Sequence, residues 1–179
     1  MKKNTVFIAK SLDGYIADQN GNLDWLEMIP NPDNIDMSFI NLMQEVDAVV
    51  MGSATYKVVC RFEGDWPYSK PVYVLSSSIQ KIPEKLADKV MLLKGKPQEI
   101  LSEIHLKGHF KLYIDGGTTI QNFLKVDLID ELIITTIPIL LGGGFPLFGK
   151  LSTRLEFEHV ESKVFLNQLV QDHYRRKRD

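Results

Sequence analysis

The sequence predicts an α/β protein with a mixed, largely parallel central sheet, flanked by helices and ending in an antiparallel C-terminal hairpin. Three observations carry this. Short apolar runs rich in Val, Ile, Leu and Tyr recur along the chain, and most end at Gly or Ser, as strands buried on both faces do. Helical patterns lie between several of them, and strand–helix–strand alternation implies a parallel sheet. The segment "RLEFEHVESKVFLNQLVQDHYRR" then breaks the pattern, with two strand-like runs and little helical period.

Taken in order, "TVFIA" is the first strand and residues 18–34, rich in Asn, Asp, Gly and Pro, form a long loop. A loop of that length favours a functional role such as covering a site. Trp25 and Leu26 within it are read as an anchor ahead of a pocket lining. Residues 36–45 follow as a helix, with Asp36, Phe39, Ile40 and Met43 at i, i+3, i+4 and i+7 on one face. The strands "DAVVMG", "VYVLSS" and "VMLLKG" come next, then a helix over 97–106, the strand "KLYIDGG", a helix over 118–124 and the strand "DELIITTIPIL". Glu161, Ser162 and Lys163 are expected to form the turn of the final hairpin, on the sheet edge.

The chain has 179 residues, 44% hydrophobic and 25% charged, with a formal net charge of −2. That describes one soluble domain over 1–179 and gives no reason to expect nucleic acid or an anionic membrane as partner. The tail "YRRKRD" reads as a solvated terminus. Cys60 is the only cysteine, which excludes an intramolecular disulfide and a cysteine-rich zinc site; no metal is expected. The N-terminal apolar run is short and broken by Lys10 and Asp13, and no stretch is long enough to span a bilayer. The expected location is cytoplasmic.

Three strand ends suit a phosphate or ribose. "VVMGSATY" puts Gly52 at a strand end, with Ser53, Ala54 and Thr55 opening a short helix. "IDGGTTIQNFL" puts Gly116 and Gly117 ahead of a helix begun by Thr118 and Thr119, and "VLSSS" puts Leu75, Ser76 and Ser77 at a third end. Glycine lets backbone approach a pyrophosphate, and unpaired N–H groups at a helix start favour the anion. Neither a Walker-A sequence nor a G-x-G-x-x-G fingerprint is present. Three such ends in one parallel sheet point to a shared crevice at its carboxyl edge.

The order and spacing of these pieces resemble the dihydrofolate reductase-like superfamily, including the reductase domain of the riboflavin-biosynthesis deaminase–reductase. "FIAKSLDGYIAD" is similar to the first strand and the loop over the nicotinamide, "DMSFINLMQEVDAVVMGSATY" to the acid-bearing helix, second strand and cofactor turn, and "DELIITTIPILLGGGFPLF" to the riboflavin-type branch. The resemblance implies NADPH as cofactor, held by Ile16, Gly52, Ser53, Ala54, Thr55, Leu75, Ser76, Ser77, Gly116, Gly117, Thr118 and Thr119. Ala9, Phe39, Ile40, Lys70 and Thr135 would contact a small-molecule substrate. Asp36 would be the acid that holds the substrate ring and helps deliver a proton. The residues agree, because a carboxylate on an apolar face needs a task or a partner and its pKa should rise. Capping of the helix is the competing role, for which Asp33 and Asn34 are also available.

The implied function is NADPH-dependent reduction of a small pterin or related aminopyrimidine. The alternatives are a riboflavin-type reductase of 5-amino-6-(5-phosphoribosylamino)uracil and a non-catalytic nucleotide-binding module. A substrate phosphate would want an Arg or Lys cluster, and none is visible in the sequence. The riboflavin-type members pair through their sheets, and with the apolar run "LIDELIITTIPILL" this makes a homodimer the expectation.

Overall fold

The protein is described from a computed structural model covering residues 1–62 and 64–178. One sheet of eight strands organises it, in the order β5-β4-β3-β6-β1-β7-β10-β9. The strands are β1 (Lys3–Ser11), β3 (Ala48–Gly52), β4 (Val72–Leu75), β5 (Val90–Leu93), β6 (Lys111–Asp115), β7 (Glu131–Ile137), β9 (Phe157–Phe165) and β10 (Leu169–Arg176). The first six run parallel, β10 is antiparallel to β7, and β9 is antiparallel to β10. The largely parallel sheet with its terminal hairpin is therefore observed. Two further short strands, β2 (Tyr15–Ala17) and β8 (Phe145–Pro146), pair with each other above the sheet.

Four α-helices cover the faces: α1 (Phe39–Glu45), α2 (Ser53–Val59), α3 (Pro97–Leu106) and α4 (Gly117–Leu124). Strand alternation sends Val6, Val50, Leu112 and Ile114 to a core under α3 and α4, and Val49, Met51, Val72, Val74 and Tyr113 to a second core under α1 and α2. The hydrophobic effect thus fixes both helical layers from one set of strands. A third cluster joins Trp25 to Ile137 and Leu169. Trp25 is buried in a 3-10 turn over Asp24–Glu27, so it anchors the long loop.

Several details depart from the sequence reading. The final hairpin does not turn at Glu161, Ser162 and Lys163, which lie inside β9. It turns beyond Phe165, where Leu166 and Asn167 take φ of 50° and 56°, the left-handed pair a tight hairpin requires. The basic tail is not a free terminus through residue 178. Tyr174, Arg175 and Arg176 belong to β10, Arg176 makes a forked pair with Asp127 at 2.7 and 3.0 Å, and Arg178 pairs with Asp130. Asp179 lies outside the described residues. The apolar run of β7 is explained without self-association, because β7 is an interior strand paired with both β1 and β10.

The first helix begins at Phe39, not at residue 36. Met37 and Ser38 have φ of 51° and 74°, a left-handed backbone that cannot continue into a right-handed helix. The buried stripe is therefore shifted to Phe39, Leu42, Met43 and Val46. No helix among the described residues is long and apolar enough to cross a membrane.

Candidate active site

The parallel strands bring their carboxyl ends to one edge, and the predicted glycine turns meet there. Register places Gly52 beside Leu75, and Met51 beside Asp115. Gly52 abuts Thr119 so closely that an added Cβ would stand 3.0 Å from its Oγ1. Gly116, at φ +85°, faces Thr55: a Cβ there would lie 2.1 Å from Thr55 Oγ1. Gly117 faces Ile16, whose Cδ1 would be 2.6 Å from an added Cβ. Gly52, Thr55, Gly116, Gly117, Thr119 and Ile16 are thus drawn from three segments into one place.

Neither α2 nor α4 has a side chain capping its first N–H groups. Bare backbone donors beside side-chain-free glycines suit a pyrophosphate. Ser53 is half-buried, and Ala54 and Thr118 are exposed on the rim. Ser76 is buried, and its hydroxyl accepts the N–H groups of Ser78 and Ile79 at 3.1 and 2.9 Å, so it shapes the turn after β4. Ser77 is exposed beside it. Uncapped N–H groups and bare glycine backbone are a donor set that suits the phosphates of a dinucleotide.

The substrate residues divide. Ala9 and Thr135 are register partners on β1 and β7, and Gln171 of β10 is opposite Thr135. Thr135 is buried; Gln171 Nε2 donates to its Oγ1 and to the Met37 carbonyl, both at 3.0 Å. Phe39 lies between Phe7 and Tyr68, with ring centroids 6.0 and 6.5 Å away. Ile40, by contrast, is 58% exposed and points away from the core, a consequence of the shifted helix start. Lys70 is half-buried just ahead of β4, at the opposite end of that strand from Ser76.

Asp36 does not lie on the buried stripe expected of it. It is exposed, ahead of the helix, and its Oδ2 accepts the Ile40 N–H at 2.7 Å. A carboxylate at a helix N-terminus stabilises the unpaired donors there, and neither Asp33 nor Asn34 is needed for this.

A different carboxylate occupies the enclosed position. Asp115 closes β6, with protein around it on most sides and part of its surface open at the sheet edge. Burial pushes its pKa up from 3.8 to about 6; the Gly116 N–H and the neighbouring Tyr113 and Tyr68 hydroxyls oppose that rise. The Gly116 N–H donates to Asp115 Oδ1 at 2.8 Å, and the Tyr68 hydroxyl approaches Oδ2 at 3.4 Å. The two tyrosines are held neutral, by burial first and by the Asp115 charge second. Phe7, Phe39, Tyr68 and Trp66 continue from Tyr113 as an aromatic wall on this face. Sequence reasoning singles out the glycines after Asp115 and not Asp115 itself. The available signal was a charge ending an otherwise apolar interior strand, immediately before Gly-Gly.

Among the described residues, no group of three or more His, Cys, Asp or Glu is gathered to hold a metal. The chemistry on offer is one carboxyl group of raised pKa, an aromatic wall, and an adjoining set of glycine turns with uncapped helix starts.

Relatives decide the family. The model of the RibD C-terminal domain matches residues 2–171. The chain belongs to that family. It is also 34% identical over 176 residues to the uncharacterized protein YwjB of Bacillus subtilis (strain 168), covering 97% of each chain. The crystal structure of a putative riboflavin biosynthesis protein from Shewanella sp. PV-4 superposes with a TM-score of 0.95 at 56% identity, over 99% of this chain and 100% of that one. A deaminase/5-amino-6-(5-phosphoribosylamino)uracil reductase from Thermotoga maritima shares the fold, with a TM-score of 0.77 at 17% identity, over 98% of this chain and 57% of that one. Membership in the RibD C-terminal domain family places the chain in the dihydrofolate reductase-like superfamily and makes it an oxidoreductase. It favours the riboflavin branch over the folate branch.

Proposed function

We propose that this protein is an NADPH-dependent reductase acting on an aminopyrimidine of the riboflavin-precursor type, with Asp115 as its acid. The observation that carries the reading is the enclosed Asp115 carboxyl, raised to about 6, joined by one backbone hydrogen bond to the glycine cradle at Gly116. A bound NADPH would supply hydride to the electrophilic carbon of a C=N or carbonyl group. The nitrogen or oxygen of that group then needs a proton. A carboxyl that keeps its proton to about pH 6 is matched to that transfer, and the same carboxylate can hold the amino N–H of the ring.

Gly52 and Gly116 admit the pyrophosphate, with Thr55 and Thr119 beside them. Ser77 is exposed at the end of β4, in a turn shaped by Ser76, and its hydroxyl would meet the 2′-phosphate, which supports NADPH over NADH. Ile16 covers Gly117 and excludes water. Thr135 and Ala9 border the ring, and Gln171 fixes the Thr135 hydroxyl. Asp36 acts as the cap of α1 and supports the pocket through the adjoining Met37 carbonyl.

A small pterin is the second reading, favoured by the Phe7–Phe39–Tyr68 wall, which suits a flat bicyclic ring. The test is NADPH oxidation by the purified chain with the phosphoribosylamino-uracil, its dephosphorylated form, dihydrofolate and simpler pterins. Turnover of a pyrimidine is expected. Turnover of pterins alone moves the assignment to the second reading. NADPH binding without turnover of any of them leaves a nucleotide-binding module.

A further inference from the structure

The segment after β1 and the segment after β7 are joined above the glycine turns by the β2–β8 pair, by backbone bonds from the Leu12 N–H to the Ile139 carbonyl and from the Leu147 N–H to the Gly14 carbonyl, and by one exposed side chain, Asp13. Asp13 Oδ1 accepts the Ser11 hydroxyl at 2.6 Å and the Leu141 N–H at 3.1 Å, while Oδ2 accepts the Gly142 N–H at 2.8 Å. Ser11 Oγ in turn accepts the Tyr15 N–H at 2.9 Å. The carboxylate thus ties the chain just ahead of β2 to the chain just ahead of β8. Its pKa is lowered, first by the Ser11 hydroxyl and then by the Gly142 and Leu141 N–H groups, so it is ionised in this arrangement.

The clasped loop could not hold its shape without help. Gly142, Gly143 and Gly144 all have positive φ, at 70°, 156° and 139°. Three consecutive glycines carry the largest conformational entropy to be lost on ordering. Gly144 packs directly under the Ala17 carbonyl, and Gly143 under the Gln19 side chain. Where Tyr15 meets Pro146, Ile16 and the Pro146 carbonyl sit over Gly117, and Gln121 of α4 donates to the Pro146 carbonyl at 2.8 Å. The path from Asp13 to the cradle is therefore short and fully contacted: Asp13 orders the glycine run, the run seats β8 against β2, and β2 carries Ile16.

We propose that Asp13 is a positioning residue for the cofactor, which sets the β2–β8 flap over the glycine turn without touching the dinucleotide itself. This rests on the dinucleotide reading of the cradle given above. Asparagine keeps one carbonyl acceptor but turns an N–H₂ toward a backbone N–H, so Asp13→Asn should break the clasp nearly as well as Asp13→Ala.

Hydrogen exchange on the cofactor-free chain tests the clasp. In Asp13→Ala, amides of Tyr15, Ala17, Leu141, Gly142 and Leu147 should exchange at least about tenfold faster, with β3 and α4 unchanged. Equal protection in wild type and variant overturns the proposal. Quenching of tryptophan fluorescence by NADPH tests the consequence. The Kd should rise about tenfold in both variants, and in steady state KM for NADPH should rise more than kcat falls. A general loss of fold would instead raise exchange across β3 and α4 and would overturn a positioning role. If wild type binds NADPH and the variants bind it equally well, the flap proposal fails and the functional reading stands. If wild type binds no NADPH, the functional reading fails, and the flap proposal with it.

Discussion

Two aspartates stand just ahead of helices in this molecule, and each takes one backbone N–H. Asp36 accepts that of Ile40 ahead of α1, and Asp115 accepts that of Gly116 ahead of α4. They differ in what surrounds them. Asp36 is exposed on a turn of left-handed backbone, where water solvates its charge. Asp115 ends an interior strand between two buried tyrosines, and its carboxyl is pushed up to about 6. Similar local hydrogen bonding therefore accompanies a solvent-exposed carboxylate in one place and a carboxyl of raised pKa in the other. The deciding variable is desolvation, which the fold imposes and the local sequence does not.

The largest expected effect comes from removing the enclosed acid. Asp115→Asn should lower turnover roughly 10²- to 10⁴-fold, with NADPH affinity largely kept, because the glycine cradle is intact. The same variant should be more stable than wild type at neutral pH. The folded-state pKa of about 6 lies above the ordinary 3.8. The folded state therefore binds the proton more tightly than the unfolded chain, and that contribution is complete below about pH 4 and lost as pH rises through about 6. Wild type should fall behind Asp115→Asn by on the order of 2–3 kcal/mol across that window, and urea titrations at pH 4 and pH 8 would measure it. Equal stability at both pH values would mean that the carboxyl ionises freely and the contrast with Asp36 is void.

The next effect sharpens the comparison from the neighbouring residue. Gly116→Ala puts a Cβ 2.1 Å from Thr55 Oγ1 at a φ of +85°. A Cβ at a φ of 85° and ψ of 135°, a region kept almost wholly to glycine, costs roughly 1–3 kcal/mol by itself. Thr55 must also move, and with it one wall of the cradle. NADPH affinity measured by tryptophan quenching should drop, and the melting temperature should fall with it. An unchanged affinity would separate the cradle from the cofactor. No comparable loss of affinity is expected from substitutions in the 34–38 turn.

How far these contrasts could be read in advance follows from the period of each element. The strands were legible because β3, β4, β6 and β7 are interior strands, and buried strands are written as continuous apolar runs. The helix over 97–106 was legible to the residue, since Pro97 opens it and nothing interrupts its period. The glycine turns were legible because glycine is the residue that close backbone approach demands. The start of α1 was not. Positions 36, 39, 40 and 43 match a helical stripe as well as 39, 42, 43 and 46 do, and no glycine marks the left-handed turn made by Met37 and Ser38. Asp115 was also passed over, since burial of a polar strand end depends on Tyr68, which comes from a distant loop. Asp13 is an exposed carboxylate in a loop, with no sequence mark to distinguish it from Asp18 or Asp24.

The smallest expected effect is at Asp36, and it tests the comparison from its weak side. Asp36→Ala removes the acceptor for the Ile40 N–H while leaving the backbone bond from Phe39 N–H to the Asp36 carbonyl, at 3.0 Å. Loss of such a cap costs about 1 kcal/mol. Asp36→Asn keeps one oxygen for the same N–H and should restore most of that stability. Turnover should fall no more than a few-fold in either variant, because the carboxyl is exposed and spent on the helix start. A deeper loss shared by both, with the melting temperature of the Asn variant intact, would require the Asp36 charge itself in the reaction. The folate-like assignment of the acid would then replace Asp115. The order of effects, Asp115 far above Asp36 in activity but below it in cost to the fold, is what separates an acid from a cap.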